Sequence, residues 1–239
     1  MNNEFTNLIL KFTGKAGIAL TERRAQLLSR HIQLMIEWNL RLNLTRITGR
    51  EEIIVKHILD SILPAKFLPS SGCALDVGTG AGFPGIPLKI VYPDLQMVLL
   101  DSSRKKVSFL AAVAAALGLK GIRVFHGRWQ DFSKVEEHAN KFELITMRAL
   151  RLEPEHITCL ASMVLVPGGV LAWWGVGDAE RLAGGWAGCE GSETDKRNYS
   201  DMKFQDDLKY LLPGIKQRRA VWLWRKTGIG RPGAGVTSS

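Results

Sequence analysis

Residues 75–88, LDVGTGAGFPGIPL, restrict the fold more than any other part of the chain. A short apolar run leads into Gly78, Gly80 and Gly82, and Pro84 follows where it can help start a helix. Without Cβ atoms the backbone can turn sharply and approach a ligand closely. A strand, a glycine turn and a helix in this order point to an open α/β sheet that binds its ligand at the carboxyl ends of the strands. The peptide N–H groups at the start of that helix are expected to face an anionic group of the ligand.

The flanking pattern extends this expectation. Residues 73–77, 95–101, 122–126, 142–147 and 170–174 read as strands, and 220–224 as a last strand at the sheet edge. Helices are predicted over 104–117 and 153–163, with a turn at Pro167-Gly168-Gly169 and a surface loop over 175–198. Such alternation implies a parallel sheet with right-handed crossovers. Residues 2–68 have helical periodicity instead. Thr21 is placed to cap a helix with Leu28, Ile32, Met35 and Ile36 on one face, and Ile54, Ile58 and Ile62 share a face of a second. The expected organisation is an N-terminal helical extension (1–70), an α/β domain (71–226) and a disordered tail (227–239).

Charge is uneven along the chain. Residues 1–60 hold nine Lys/Arg against six Asp/Glu, 61–207 hold sixteen against seventeen, and 208–239 hold seven against none, for a net charge of +9. Basic ends around a neutral middle suit a polyanionic partner. No apolar run approaches the roughly 20 residues of a membrane span. Met1-Asn2-Asn3-Glu4 does not open a signal peptide, so a cytoplasmic protein is expected. Cys73, Cys159 and Cys189 form no metal-ligand spacing and read as free thiols.

The turn has two chemical readings. Gly80-x-Gly82-x-x-Gly85, followed by Asp101, fits an NAD(P)-dependent oxidoreductase. Asp76, two residues before Gly78, and Pro84 inside the spacer favour S-adenosylmethionine. In either case Asp101 can accept both ribose hydroxyls, Trp129 and Gln130 lie where an adenine would sit, and Arg148 points toward the same cleft. Methyl transfer from a sulfonium rests chiefly on positioning and desolvation. Thr146-Met147-Arg148-Ala149 stands where exocyclic-amine methyltransferases carry Asn/Asp-Pro-Pro-aromatic, and no cysteine follows a proline as in carbon-5 enzymes. A ring nitrogen with a free lone pair, such as guanine N7, needs neither device.

Trp38-Asn39, Asn43-Leu44-Thr45, His57 with Asp60-Ser61, the 75–88 turn, Arg104-Lys105-Lys106 with Phe109-Leu110, Arg128 and Arg148-Ala149 form an ordered set. Over residues 38–226 the chain thereby resembles the glucose-inhibited division protein B family of small-subunit ribosomal RNA guanine-N7 methyltransferases. The resemblance implies a class I S-adenosylmethionine-dependent methyltransferase fold, Rossmann-like with a mostly parallel seven-stranded sheet and an N-terminal helical extension. It implies S-adenosyl-L-methionine as donor and 16S ribosomal RNA or the small ribosomal subunit as partner. A monomer is expected, though no sequence feature fixes the oligomeric state.

By motif position, Gly78 and Phe83 line the methionine and sulfonium region, with Gly80 in the same turn. Trp129 and Gln130 hold the adenine, and Arg148 borders the methyl-transfer cleft. No residue is assigned a catalytic role. Gln130 replaces an acid usual in the family, and Trp174-Gly175 replaces Lys-Gly, so a catalytically silent RNA-binding relative is a third reading. His57 and Asp60 either pair near the cleft or pack helices.

Overall fold

The computed structural model describes residues 4–148, 154–176 and 201–228. Helices α1 (Glu4–Lys15) and α2 (Glu22–Leu42) open the chain. Thr21 Oγ1 accepts the Arg24 N–H, satisfying one of the donors that a helix leaves free at its start. Leu28, Ile32 and Met35 are fully buried, while Ile36, expected on the same stripe, lies at its margin with 37% exposure. Asn43, in the left-handed region at φ 50°, ends α2.

The next helical rod comprises α3 (Arg50–Ile53), a π-helical turn (Ile54–Leu59) and α4 (Asp60–Ile62), all in helical dihedrals. In the π turn the Asp60 N–H reaches the carbonyl of Val55, five residues back. An extra residue in a turn re-aims the side chains beyond it, and such turns are frequent at functional sites. Ile54, Ile58 and Ile62 are all buried, as their spacing predicts.

Seven strands form one sheet: β1 (Gly72–Val77), β2 (Leu95–Asp101), β3 (Ile122–His126), β4 (Phe142–Arg148), β5 (Leu165–Val176), β6 (Met202–Tyr210) and β7 (Arg219–Lys226). Their order is β3-β2-β1-β4-β5-β7-β6. The first five run parallel, and β7 is antiparallel to both its neighbours. Between the strands lie α5 (Gly85–Val91), α6 (Arg104–Ala116), α7 (Trp129–Ser133) and α8 (Pro154–Val164).

The structure corrects two local expectations. Pro167-Gly168-Gly169 is not a turn before the fifth strand but part of it, at an irregularity where pairing jumps from Phe142↔Leu165 to Leu144↔Val170. Gly175 and Val176 also belong to β5, while the rest of the loop expected over 175–198 lies outside the described residues. So do Cys189, Ala149 and, from residue 229 onward, the expected tail. Strand β6 has no counterpart among the strands read from sequence. It pairs only with β7 and is mostly exposed, so it carries no apolar alternation.

The sheet buries both faces. Helices α1–α4 share one core with α5 and α6, and this face takes Ala172 and Trp174 of β5 with Val221 and Leu223 of β7. The opposite face packs α7 and α8 against Trp173, Trp222 and Trp224. Successive residues of β5 and β7 thus point to opposite cores. The N-terminal helices form part of the wall beside the glycine turn.

Candidate active site

Strands β1 and β4 are neighbours at the point where the sheet order reverses, with Asp76 opposite Thr146. Asp76 has no exposed surface. Its Oδ1 accepts the Thr146 hydroxyl at 2.8 Å, and its Oδ2 accepts the Gly85 N–H at 3.0 Å. Burial raises its carboxyl from the ordinary 3.8 to about 6, against the opposing effect of those bonds and of Arg148 nearby. A Cβ at Gly85 would stand 2.6 Å from Leu99 Cδ2 and 2.7 Å from Asp76 Oδ2, so only glycine permits this approach.

Most amides of the turn are spent within the chain. Gly78 and Thr79 donate to Leu100, Gly82 and Phe83 to Thr79, and Ile86 to Gly82. Gly80 donates to Asp101 Oδ2 at 3.0 Å, and Gly85 to Asp76. Pro84 has no N–H. The expectation that the start of the following helix faces an anionic ligand group is therefore corrected: the anion there is the chain's own Asp76.

Space remains on the other side of the turn. A Cβ built at Gly80, φ +61°, meets only the Gly78 carbonyl oxygen, at 3.9 Å. Asp101, 5% exposed, edges this space. One carboxylate oxygen takes the Gly80 N–H and the other the Ser103 N–H at 2.8 Å, leaving each a lone pair for a further donor. Thr79 Oγ1 is buried without a partner at hydrogen-bonding geometry, though close enough to Asp76 to favour its charge. Half-buried Trp129 begins α7, its ring 5.5 Å from His156, and Gln130 beside it is exposed.

Phe83 and Arg148 face the N-terminal helices. The Phe83 ring is stacked between His31 and His57, each centroid 4.6 Å away, and the Arg148 guanidinium carbon lies 5.3 Å from its centre. His31, on the apolar stripe of α2, holds the turn from behind by donating Nε2–H to the Ala81 carbonyl at 2.8 Å. Burial lowers its pKa to about 4, so the ring is neutral. Sequence reasoning missed His31. Its signal was a polar residue amid Leu28, Ile32 and Met35.

Arg148 is no surface ion pair. Its Nη1 donates to the Lys56 carbonyl at 3.2 Å and to Asp60 Oδ2 at 3.4 Å, and its Nη2 to His57 Nδ1 at 3.1 Å. His57 and Asp60 thus meet through this arginine rather than by pairing with each other. Asp60, also without exposed surface, accepts Arg219 Nε at 3.1 Å, Arg219 Nη2 at 2.6 Å and the Tyr210 hydroxyl at 2.7 Å. Its backbone carbonyl accepts Trp174 Nε1–H at 2.7 Å. Trp174 is accordingly 2% exposed and structural, and the tryptophan that replaces the family's lysine does not project from the protein.

The arrangement fits a sulfonium nucleoside better than a dinucleotide. A pyrophosphate needs a nest of successive free N–H groups, and those of Gly78, Thr79, Gly80, Gly82, Phe83 and Gly85 are already donated within the chain. A cationic ligand needs space and a carboxylate, which Gly80 and Asp101 supply. Among the described residues no group of His, Cys, Asp and Glu is placed to hold a metal ion.

Comparison with known proteins bears on the same residues. The family model described as GidB, rRNA small subunit methyltransferase G, matches residues 24–206. Ribosomal RNA small subunit methyltransferase G 1 of Syntrophobacter fumaroxidans is 47% identical over 221 residues, covering 91% of this chain and 94% of that protein. The methyltransferase G of Streptococcus gordonii is 34% identical over 200 residues, or 82% and 81% of the two chains. Among solved structures, the [4+2]-cyclase SpnF superposes with a TM-score of 0.55 at 16% identity, over 75% of this chain and 83% of that one. TYW2 of P. horikoshii, in complex with MeSAdo, gives 0.50 at 18% identity, over 71% and 62%. At such identities the likeness is one of fold, that of the class I S-adenosylmethionine-dependent methyltransferases.

Proposed function

Since the chain belongs to the GidB family, rRNA small subunit methyltransferase G, we propose that it transfers a methyl group from S-adenosyl-L-methionine to N7 of a guanine in 16S ribosomal RNA. The observation that carries this reading is the turn itself: open space over Gly80, the Asp101 carboxylate at its edge, and no run of free amides for a pyrophosphate.

In this reading Gly78 and Gly80 back the methionine portion, and Asp101 accepts the ribose hydroxyls with its remaining lone pairs. Trp129 supplies an apolar face for the adenine, and Gln130 offers a carbonyl acceptor to its exocyclic amine. Phe83 and Arg148 border the place of methyl transfer. When bound, S-adenosylmethionine supplies a methyl group on a sulfonium, open to attack along the line of the breaking bond. Guanine N7 presents its lone pair without prior loss of a proton. The protein's task is then to align the two and exclude water, and no general base is required.

The basic ends of the chain engage the RNA, free or in the small ribosomal subunit, with a steep salt dependence. The N-terminal helical extension (1–70) and methyltransferase domain (71–226) act together as a monomer in the cytoplasm. No helix of the described residues is long and apolar enough to cross a membrane.

N7-methylated guanine makes RNA cleavable by borohydride and then aniline. Small-subunit RNA from cells lacking this gene loses one such cleavage, and re-expression restores it. An unchanged cleavage pattern overturns the substrate assignment. RNA binding without methyl incorporation by the purified protein would favour a silent relative instead.

A further inference from the structure

We propose that Thr45 is a positioning residue for Arg148, acting through His57 by anchoring the imidazole that accepts from the guanidinium. The proposal rests on the reading of Arg148 as a residue of the methyl-transfer cleft.

Donor and acceptor counting allows one arrangement. A guanidinium can only donate, so His57 Nδ1, 3.1 Å from Arg148 Nη2, must be the bare acceptor nitrogen. Burial and the Arg148 charge lower the His57 pKa to about 3, which keeps the ring neutral. The proton therefore sits on Nε2, and its partner is Thr45 Oγ1 at 3.1 Å. That oxygen also accepts the Ile47 N–H at 3.1 Å, so both its lone pairs are used.

Thr45 is itself held from both sides. Asn39 accepts the Thr45 N–H at 2.8 Å and donates to the Thr45 carbonyl at 3.0 Å. A continuous line of polar contacts thus runs from the end of α2, through Thr45 and His57, to the guanidinium at the end of β4. It explains physically why Asn39, Thr45, His57, Asp60 and Arg148 occur as an ordered set. The π turn contributes by presenting His57 and the Lys56 carbonyl to the same guanidinium.

If the proton moved to Nδ1, two donors would oppose each other and Arg148 would have to withdraw. Arg148 therefore dictates the Nε2–H form, and Thr45 Oγ1, by accepting that proton, holds the ring where its bare Nδ1 meets the guanidinium. The side chain touches neither ribose, adenine nor methionine positions in this reading, so its effect should fall on turnover rather than on cofactor affinity.

The test combines nitrogen NMR of the imidazoles with methyl-transfer kinetics on small ribosomal subunits, using the full chain. Wild type and Thr45→Ser should give the shift pattern of an Nε2–H imidazole at His57. The near-isosteric Thr45→Val leaves the His57 Nε2–H without its acceptor, and should perturb that pattern and lower kcat about 10- to 100-fold, as expected for a displaced cleft residue, with KM for S-adenosylmethionine unchanged. Thr45→Ser should restore most of the activity. A protonated or Nδ1–H imidazole in wild type overturns the proposal, as does an unchanged His57 pattern or an unchanged kcat in Thr45→Val. If wild type transfers no methyl group to any RNA, the reaction reading fails, while the change in the imidazole pattern on Thr45→Val still decides whether Thr45 anchors the ring.

Discussion

Asp60 and Asp76 are both fully buried at the same end of the sheet, yet their surroundings differ in kind. Asp60 lies between two guanidiniums and a phenol, drawn from β4, β6 and β7. Asp76 has only a hydroxyl and a peptide N–H as hydrogen-bonding partners. A carboxylate gripped by two guanidiniums serves as a clamp. One whose hydrogen-bonding partners are neutral has its pKa raised by burial to about 6. The first aspartate fastens the N-terminal helices to the sheet; the second supports the glycine turn.

The largest effect expected from this contrast is the loss of the clamp. Asp60→Ala leaves Arg148 and Arg219 facing one another without a counter-ion, and should lower the unfolding free energy in urea by about 3–5 kcal/mol. A change near that of an ordinary surface substitution would remove the distinction between the two aspartates.

Next in size is the pH dependence of stability. His31 is depressed to about 4 and His57 to about 3, so below pH 6.5 the unfolded chain binds protons that the folded chain refuses. Stability is therefore full above pH 6.5 and falls as the pH drops, by about 3 kcal/mol from His31 alone at pH 4. Asp76 acts with the opposite sign. Its raised pKa makes the folded state the better proton binder between pH 3.8 and about 6, so its contribution declines as the pH rises through that window. Urea titrations across pH 4–8 should show a flatter acid limb in His31→Gln and a steeper one in Asp76→Asn. Identical slopes in all three proteins would contradict the burial of these groups.

Two glycines of the turn sharpen the comparison further. Gly85→Ala must push Leu99 or the Asp76 carboxylate aside and should cost about 1–3 kcal/mol. Gly80→Ala meets open space and should cost about 1 kcal/mol, from its left-handed backbone alone. Yet the second should weaken S-adenosylmethionine binding more, measured by calorimetry, because its methyl group enters the ligand's space. The smallest effect is that of Asp76→Asn at pH 8, under about 1 kcal/mol. Asparagine can accept from Gly85 while Thr146 turns to accept from the new amide.

Local chemistry made much of this legible in the sequence. The glycine turn, the Thr21 cap, the apolar stripe of α2 and the strands β1–β5 and β7 each leave a pattern within a few residues. Strand β6 leaves none, because an exposed edge strand needs no apolar face. The Pro167-Gly168-Gly169 triplet has the composition of a turn, but it lies within β5, whose pairing with β4 shifts at that point. The Asp60 cluster was hidden for another reason. Its partners stand 88 to 159 residues away in the chain, so no spacing rule connects them. Resemblance could mark His57, Asp60 and Arg148 as a set, but only folding shows that arginine is the shared partner. Trp174 stands where the resemblance leads one to expect a lysine, and the fold turns it inward to a backbone carbonyl.

Calorimetric titration of the intact protein with S-adenosylmethionine, and separately with NAD, tests the reading of the turn most directly. With most of the turn's amides engaged and its open side edged by the Asp101 carboxylate, the protein should bind S-adenosylmethionine saturably at one site and give no heat with NAD. Saturable binding of NAD, with none of S-adenosylmethionine, would contradict it.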